Sequence, residues 1–520
     1  PSATMSEATP KPDELFKARL DKLRRWRDEF EIDGYGQRID GLIPLSEARA
    51  MFDEAADDAW RAAEDAEESI EDPRPQVLVA GRCIQHREMG KLAFLVIRDA
   101  TGDLQISCSK GDLETNAFRL ARKLDYGDVI VAGGRMGRTR KGEICVWADR
   151  FELASKSLQP PPEKWHGLQD PELRARRRHV DLFTNPEVLQ TFTARSQIIS
   201  SIRRRMDARG FLEVETPMMH PVPGGAAARP FTTHHNALGM PLFLRIAPEL
   251  YLKKLIVGGL PKVYEINRNF RNEGVDRSHN PEFTAMEVYE AFSDHHGMAD
   301  LTESICREVA EELSGGTAVR PFGEIEIDWS SPFVRLDWRE TFTKVLGFDP
   351  SDEAKVREAA QGLVENAATA DVWVLANALF EERVEPTFDP SRPTFVFDYP
   401  SVISPLTRSY ADRPEYCGRW DLFAGGMELG TAYTELNDPL EQRRRFEEQL
   451  GGMDDEMAKE RTLDESFLDA LETGMPPTGG LGIGIDRVVM LLVNATSIRD
   501  VIYFPLLRPE SASEENPCDE

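Results

Sequence analysis

Two arginine-centred strings, far apart in the chain, hold the residues best suited to chemistry: Arg268-Asn269-Phe270-Arg271-Asn272-Glu273 and Gly480-Leu481-Gly482-Ile483-Gly484-Ile485-Asp486-Arg487. A guanidinium is planar, permanently charged and shaped to meet two phosphate or carboxylate oxygens at once. Beside glycines, two such anchors predict a site that grips a nucleotide. Taken alone, Arg271 also reads as half of a surface ion pair with Glu273.

These anchors need a scaffold. An amphipathic pattern over 191–208, stopped by Gly210, predicts a helix, followed by a strand over 211–216 and Pro217. Further strands are expected at 261–269, 282–291, 396–398, 420–423, 431–436 and 482–486, with a closing helix over 487–493. Helices mixed irregularly with strands predict an α+β domain on a mostly antiparallel sheet. Residues 315–393 read as an inserted helical region. Upstream, β-branched runs at 77–80, 94–97, 104–107, 129–131 and 144–147 alternate with glycine-bearing turns, and a helical stretch at 113–123 follows the third run. That pattern predicts a five-stranded OB-fold β-barrel. Helices are expected over 14–30 and 46–68. The resulting organisation is a helical extension (1–74), a barrel (75–154), a linker (155–180), the α+β domain (181–510) and an acidic tail (511–520).

Composition bounds the setting. A chain of 520 residues exceeds one ordinary core and implies two or more domains. Without a basic, apolar leader or an apolar run of about 18 residues, a cytoplasmic protein with no membrane association is expected. Cys83, Cys108, Cys145, Cys306, Cys417 and Cys518 lack paired short spacings, so neither a disulfide framework nor a zinc knuckle is indicated. His234-His235 and His295-His296 make no complete metal site and read as surface or loop histidines. A net charge of -28 opposes a polyanionic partner, but 171–210 holds nine arginines against four acids. That stretch reads either as a basic patch or as a solvated helix face. The acid excess, with arginine outnumbering lysine, is a composition suited to a salt-rich cytoplasm.

The helix-strand ending at Pro217, the loop headed by Arg271 and the glycine-rich strand before Arg487 together resemble the three signature motifs of class II aminoacyl-tRNA synthetases, in the subgroup that activates lysine, asparagine and aspartate. The strings Pro223 to Phe231, Ala247-Pro248-Glu249-Leu250-Tyr251-Leu252-Lys253 and Glu435-Leu436-Asn437-Asp438 most closely resemble the lysyl-tRNA synthetases. The likeness covers nearly the whole chain from about Gln76 to Pro509.

The resemblance implies lysine-tRNA ligation with ATP as substrate, Mg2+ as cofactor, tRNA(Lys) and L-lysine as partners, and a homodimer. It assigns Arg271 and Arg487 as catalytic anchors, and places Glu273, His279, Asn280, Phe283 and Glu428 with them around ATP. It assigns Asp421 and Glu428 to the magnesium ion, with Asp421 shorter than the usual Glu. Lysine would meet Gly225, Glu249, Arg271, Glu287, Tyr289, Thr431, Tyr433 and Glu435, with Glu435 as the acid for its side-chain ammonium. A buried acid without a cation is costly, so such a pocket penalises uncharged substrates. An aspartate enzyme would need a base there instead. Thr431 departs from the family, which carries Asn at that position. In the barrel the resemblance assigns Phe94, Gln105, Glu143 and His86 to the anticodon. Two alternatives are a lysine-activating paralogue acting on a protein acceptor, which would lack the barrel, and a non-catalytic tRNA-binding paralogue, which would lack Arg271, Glu435 or Arg487.

Overall fold

The computed structural model describes residues 12–161, 168–225, 228–364, 367–451 and 463–508. Ala226 and Ala227, linker residues 162–167, the acidic tail 511–520 and Cys518 lie outside the described residues. The chain divides into two compact units between Leu189 and Gln190.

In the first unit β1 (Gln76–Met89), β2 (Leu92–Asp99), β3 (Gly102–Ser109), β4 (Val129–Arg138) and β5 (Ile144–Ser155) close into a barrel in the order β1-β2-β3-β5-β4. β3 and β5 pair in parallel and the other pairs are antiparallel. Period-two alternation builds the interior: Ala93, Leu95 and Ile97 are fully buried, while Phe94 and Val96 keep exposure on the outer face. Trp26 of the helix Pro12–Phe30 joins this core. The helix expected over 46–68 is two helices, Leu45–Ala50 and Glu54–Asp65. Asp53 separates them because its side chain caps the second, accepting a hydrogen bond from the Ala56 amide at 3.0 Å from an extended backbone.

The second unit is built on an eight-stranded sheet. Its strands in chain order are β6 (Leu212–Glu213), β10 (Lys262–Phe270), β11 (Glu282–Ala291), β14 (Val334–Asp337), β15 (Thr394–Phe397), β16 (Arg419–Ala424), β17 (Met427–Thr434) and β18 (Thr478–Gly484), arranged β14-β15-β16-β17-β18-β11-β10-β6. Only the outermost pairs, β14 with β15 and β10 with β6, are parallel. A three-stranded sheet of β7 (Met219–His220), β8 (Thr232–His235) and β9 (Met240–Leu244) accompanies it. Helices His295–Ser314 and Ile485–Val493 bury Met298, Ile305, Val309, Val488 and Leu492 against Met286, Val288 and Ile483 of the sheet. This core leaves the opposite face of the central strands for ligands.

Several elements differ from expectation. The strand over 211–216 shrinks to two residues, and Thr216 instead donates its hydroxyl to Glu265 Oε2 at 2.7 Å. The 315–393 region is not purely helical. It opens with the hairpin β12 (Val319–Phe322) and β13 (Ile325–Asp328), then gives β14 to the main sheet, and its helices surround Trp338, Phe342 and Leu375. The arginine-rich stretch is not a free basic patch. Arg174 and Arg178 share Asp181, Arg176 meets Glu172, Arg195 meets Asp486, Arg203 meets Glu213, and Arg204, Arg205 and Arg209 pair with Glu312 and Glu308. His295 is buried rather than on the surface: its ring meets the Thr434 hydroxyl at 2.9 Å, and its carbonyl accepts from Trp420 Nε1 at 2.7 Å. The described cysteines are buried and unpaired. No described helix is long and apolar enough to cross a membrane.

Candidate active site

The sheet's alternation puts the functional side chains on one face. Along β11, Met286 and Val288 point into the core, so Phe283, Glu287 and Tyr289 point the other way. The register then matters: Glu287 lies opposite Gly482 and Tyr289 opposite Gly480, while across β18 Thr431 and Tyr433 of β17 face the same two glycines. β18 therefore separates two side-chain-bearing strands with a bare floor. At Gly480 the bareness is obligatory, because an added Cβ would collide with Glu435 Oε1 and approach Tyr289 Cε1 to 2.6 Å.

Above this floor lies a cavity of about 590 Å³, within the range of small-molecule sites. Gly225, Glu249, Arg271, Glu273, His279, Asn280, Phe283, Glu287, Tyr289, Glu428, Thr431, Tyr433 and Arg487 all line it, so the structure brings together most residues singled out from sequence. Arg271 begins the loop after β10, and its guanidinium lies 5.2 Å from the centroid of the Phe283 ring. Its Nε is buried without a hydrogen-bond partner among the described residues, as are Asn269 Oδ1 and Asn280 Oδ1. Unsatisfied buried polar atoms around one cavity point to a polar occupant. At the start of the last helix, Arg487 donates to the Glu428 carbonyl at 2.5 Å and approaches His279 Nε2 at 3.0 Å. Asp276 orients that imidazole by contacting Nδ1 at 2.8 Å. In the same helix as Arg487, the buried Asp486 carboxylate accepts from the Thr284 amide at 2.7 Å and pairs with Arg195 at 2.6 Å, tying the helix to β11.

The acidic end of the cavity is organised differently from the sequence expectation. Glu435 is buried, 1 % exposed, behind the cavity wall, and it is not an unpaired acid. The Lys253 ammonium pairs with its Oε2 and also with Glu249 Oε1 at 2.5 Å. Glu249 and Lys253 stand four residues apart on the helix Glu249–Val257, so both reach the same side. The two carboxylates raise the Lys253 pKa and hold it protonated. Glu287 is pushed up to about 8, chiefly by burial and then by the Glu249 carboxylate, and it accepts a 3.1 Å hydrogen bond from the Tyr289 hydroxyl. Sequence reasoning missed Lys253; its four-residue spacing from Glu249 was the available signal.

Asp421 and Thr431 are engaged by protein partners. Asp421 does not line the cavity: both its oxygens are taken by Arg419, at 3.0 and 2.7 Å. Glu428 lines the cavity, where burial and then the Asp421 carboxylate raise its pKa. Thr431 Oγ1 donates to the Trp420 carbonyl at 3.2 Å, so its hydroxyl is already engaged across the sheet.

In the barrel unit, Phe94, Gln105 and Glu143 line a common groove with Arg87, Arg138 and Trp147. His86 does not reach it. A β-bulge between Cys83 and Gln85 shifts the register, setting His86 opposite the interior residue Leu95 and Arg87 opposite Phe94. Burial lowers the His86 pKa.

Residues 170–508 match the family of tRNA synthetases class II (D, K and N), and residues 77–154 match an OB-fold nucleic acid binding domain. The chain is 46 % identical over 503 residues to a lysine–tRNA ligase of Carboxydothermus hydrogenoformans, covering 95 % of this chain and 98 % of the relative. It is 47 % identical over 503 residues to one of Pelotomaculum thermopropionicum, covering 95 % of each. For one of Bacillus subtilis it is 42 % over 497 residues, covering 95 % and 97 %.

Proposed function

This chain belongs to the class II tRNA synthetases of the aspartate, lysine and asparagine group, and within it to the lysine–tRNA ligases; from that premise we propose how its cavity works. The enzyme joins lysine to ATP, giving lysyl-adenylate and pyrophosphate, and then transfers the lysyl group to the 3′ end of tRNA(Lys). It uses Mg2+ and ATP.

The observation that carries the assignment of roles is one cavity lined by both Arg271 and Arg487 and by the carboxylates of Glu249, Glu287 and Glu428. The substrate carboxylate is ionised near neutral pH, so its attack on the α-phosphorus needs no protein base. Positioning and charge neutralisation carry the step. Arg271 bridges the carboxylate and the α-phosphate, two anions that otherwise repel. Arg487, with His279 and Asn280, holds the far phosphates, and Phe283 stacks on adenine once the Arg271 guanidinium turns toward phosphate. Glu249 and the Gly225 backbone take the α-ammonium; Glu435, Tyr289 and Tyr433 take the side chain. When bound, Mg2+ neutralises pyrophosphate charge. Glu428 and phosphate oxygens suit this hard ion, which keeps several waters. Asp421 joins them only by releasing Arg419. In the second step the tRNA 3′-hydroxyl attacks the acyl carbon and AMP leaves.

The same reading makes 75–154 the anticodon-binding domain and 181–510 the catalytic one. We propose a homodimer through the first motif, where Leu212 of edge strand β6 and Met219 are exposed.

Lysine-dependent ATP–pyrophosphate exchange tests the function, with aspartate and asparagine as controls; exchange supported only by a control amino acid overturns it. In that assay Thr431→Asn should lower the KM for lysine about two- to tenfold, because an amide can keep the Trp420 contact and still offer a donor to substrate. Phe94→Ala should raise the KM for tRNA by roughly 5- to 100-fold through lost base stacking, while exchange without tRNA stays unchanged.

A further inference from the structure

The acidic end of the cavity contains a cation of its own. Lys253 is fully buried, with its ammonium between Glu249 and Glu435 and 6.0 Å from the Tyr289 ring centroid. It consumes Oε2 of Glu435 and leaves Oε1, which lies against Gly480 and Tyr289 and has no hydrogen-bond partner among the described residues. Burial pushes the Glu435 carboxyl up to about 8, against the downward pull of the adjoining Lys253 ammonium. We propose that Lys253 is a specificity-determining positioning residue: by pairing with one oxygen it favours the ionised form of Glu435, leaves the other oxygen facing the slot, and so sharpens the pocket's preference for a side-chain cation.

The physical argument concerns what Glu435 becomes without it. The Glu249 carboxylate acts on it, and Tyr289 lies beside it, its hydroxyl given to Glu287, with the Arg245–Glu265 pair beyond Glu287. Lys253 is the cation in contact with it. A buried carboxylate among other acids takes up a proton instead of bearing its charge. A protonated Glu435 would present a neutral surface, and the advantage of an ammonium over an uncharged side chain of equal length would shrink. The inference rests on the reading of Glu435 as the acid for the substrate's ammonium.

The test is pyrophosphate exchange with lysine and with 2-aminoheptanoic acid, which carries a methyl in place of the ammonium, across pH 6 to 9 on the full chain. For Lys253→Met, kcat/KM for lysine at neutral pH should fall about 10²-fold, the scale of breaking a buried ion pair. The preference for lysine over 2-aminoheptanoic acid should narrow by roughly tenfold or more. Activity with lysine should partly recover toward high pH, where Glu435 ionises unaided, and the KM for ATP should stay within about twofold. Lys253→Arg keeps the charge, so it should raise the lysine KM yet retain the wild-type pH profile. The proposal is overturned if Lys253→Met keeps both the wild-type preference and pH profile, or if its losses for ATP and lysine run in parallel, as a structural role would give. Should Lys253→Met fail to fold, a shifted pH profile in Lys253→Arg overturns it equally. Glu435→Gln, measured alongside, separates the two readings: if it leaves lysine use intact, the assignment of Glu435 fails, whatever Lys253 does.

Discussion

Replacing Glu435 with glutamine is expected to lower kcat/KM for lysine by about two to three orders of magnitude, with the KM for ATP nearly unchanged. The figure follows from the roughly 3–5 kcal/mol lost when a buried charge pair loses one partner, since each 1.4 kcal/mol is a factor of ten. The fold should survive, because Lys253 retains Glu249 as a partner and the amide fills the volume beside Gly480. Pyrophosphate exchange over a range of lysine concentrations measures the effect. A variant that saturates with lysine as the wild type does would remove Glu435 from recognition.

Arg271→Ala should instead act on kcat. Deleting a preorganised electrostatic anchor at the reacting centre commonly costs about 10²- to 10³-fold, and here the anchor serves both anions. Arg271 Nε has no partner among the described residues, so little folded-state bonding is lost with it. Arg271→Lys should recover only a small part, because a point charge replaces a fork that grips two oxygens. Single-turnover formation of lysyl-adenylate, at saturating ATP and lysine, checks this. A rate within a few-fold of wild type would mean that the guanidinium does not bridge the reactants.

Much of this site was legible from the chain because strand alternation is a strict rule. Once 282–291 is read as a strand with Met286 and Val288 inward, Phe283, Glu287 and Tyr289 must share the other face. His86, assigned to the anticodon by resemblance, shows where alternation breaks: continuing the pairing from Cys83 would set His86 opposite Phe94, but one extra residue in the bulge inverts the phase and brings Arg87 there. The arginine-rich stretch was ambiguous for a different reason: Glu308 and Glu312, which neutralise three of its arginines, lie about a hundred residues downstream on a neighbouring helix. Lys253 and Arg419 escaped notice because their partners Glu435 and Asp421 had already been assigned to ligands. Sequence spacing does not reveal that a chain supplies its own counter-charges.

The side-chain-free floor of β18 bears on how such a pocket could change its choice of amino acid. Gly480 and Gly482 each face a functional residue on both flanking strands, and no atom at these positions extends past the main chain. New selectivity therefore has to be written on β11, β17 or the helix that carries Glu249. Mutational drift in the floor would only fill the space that any substrate must occupy.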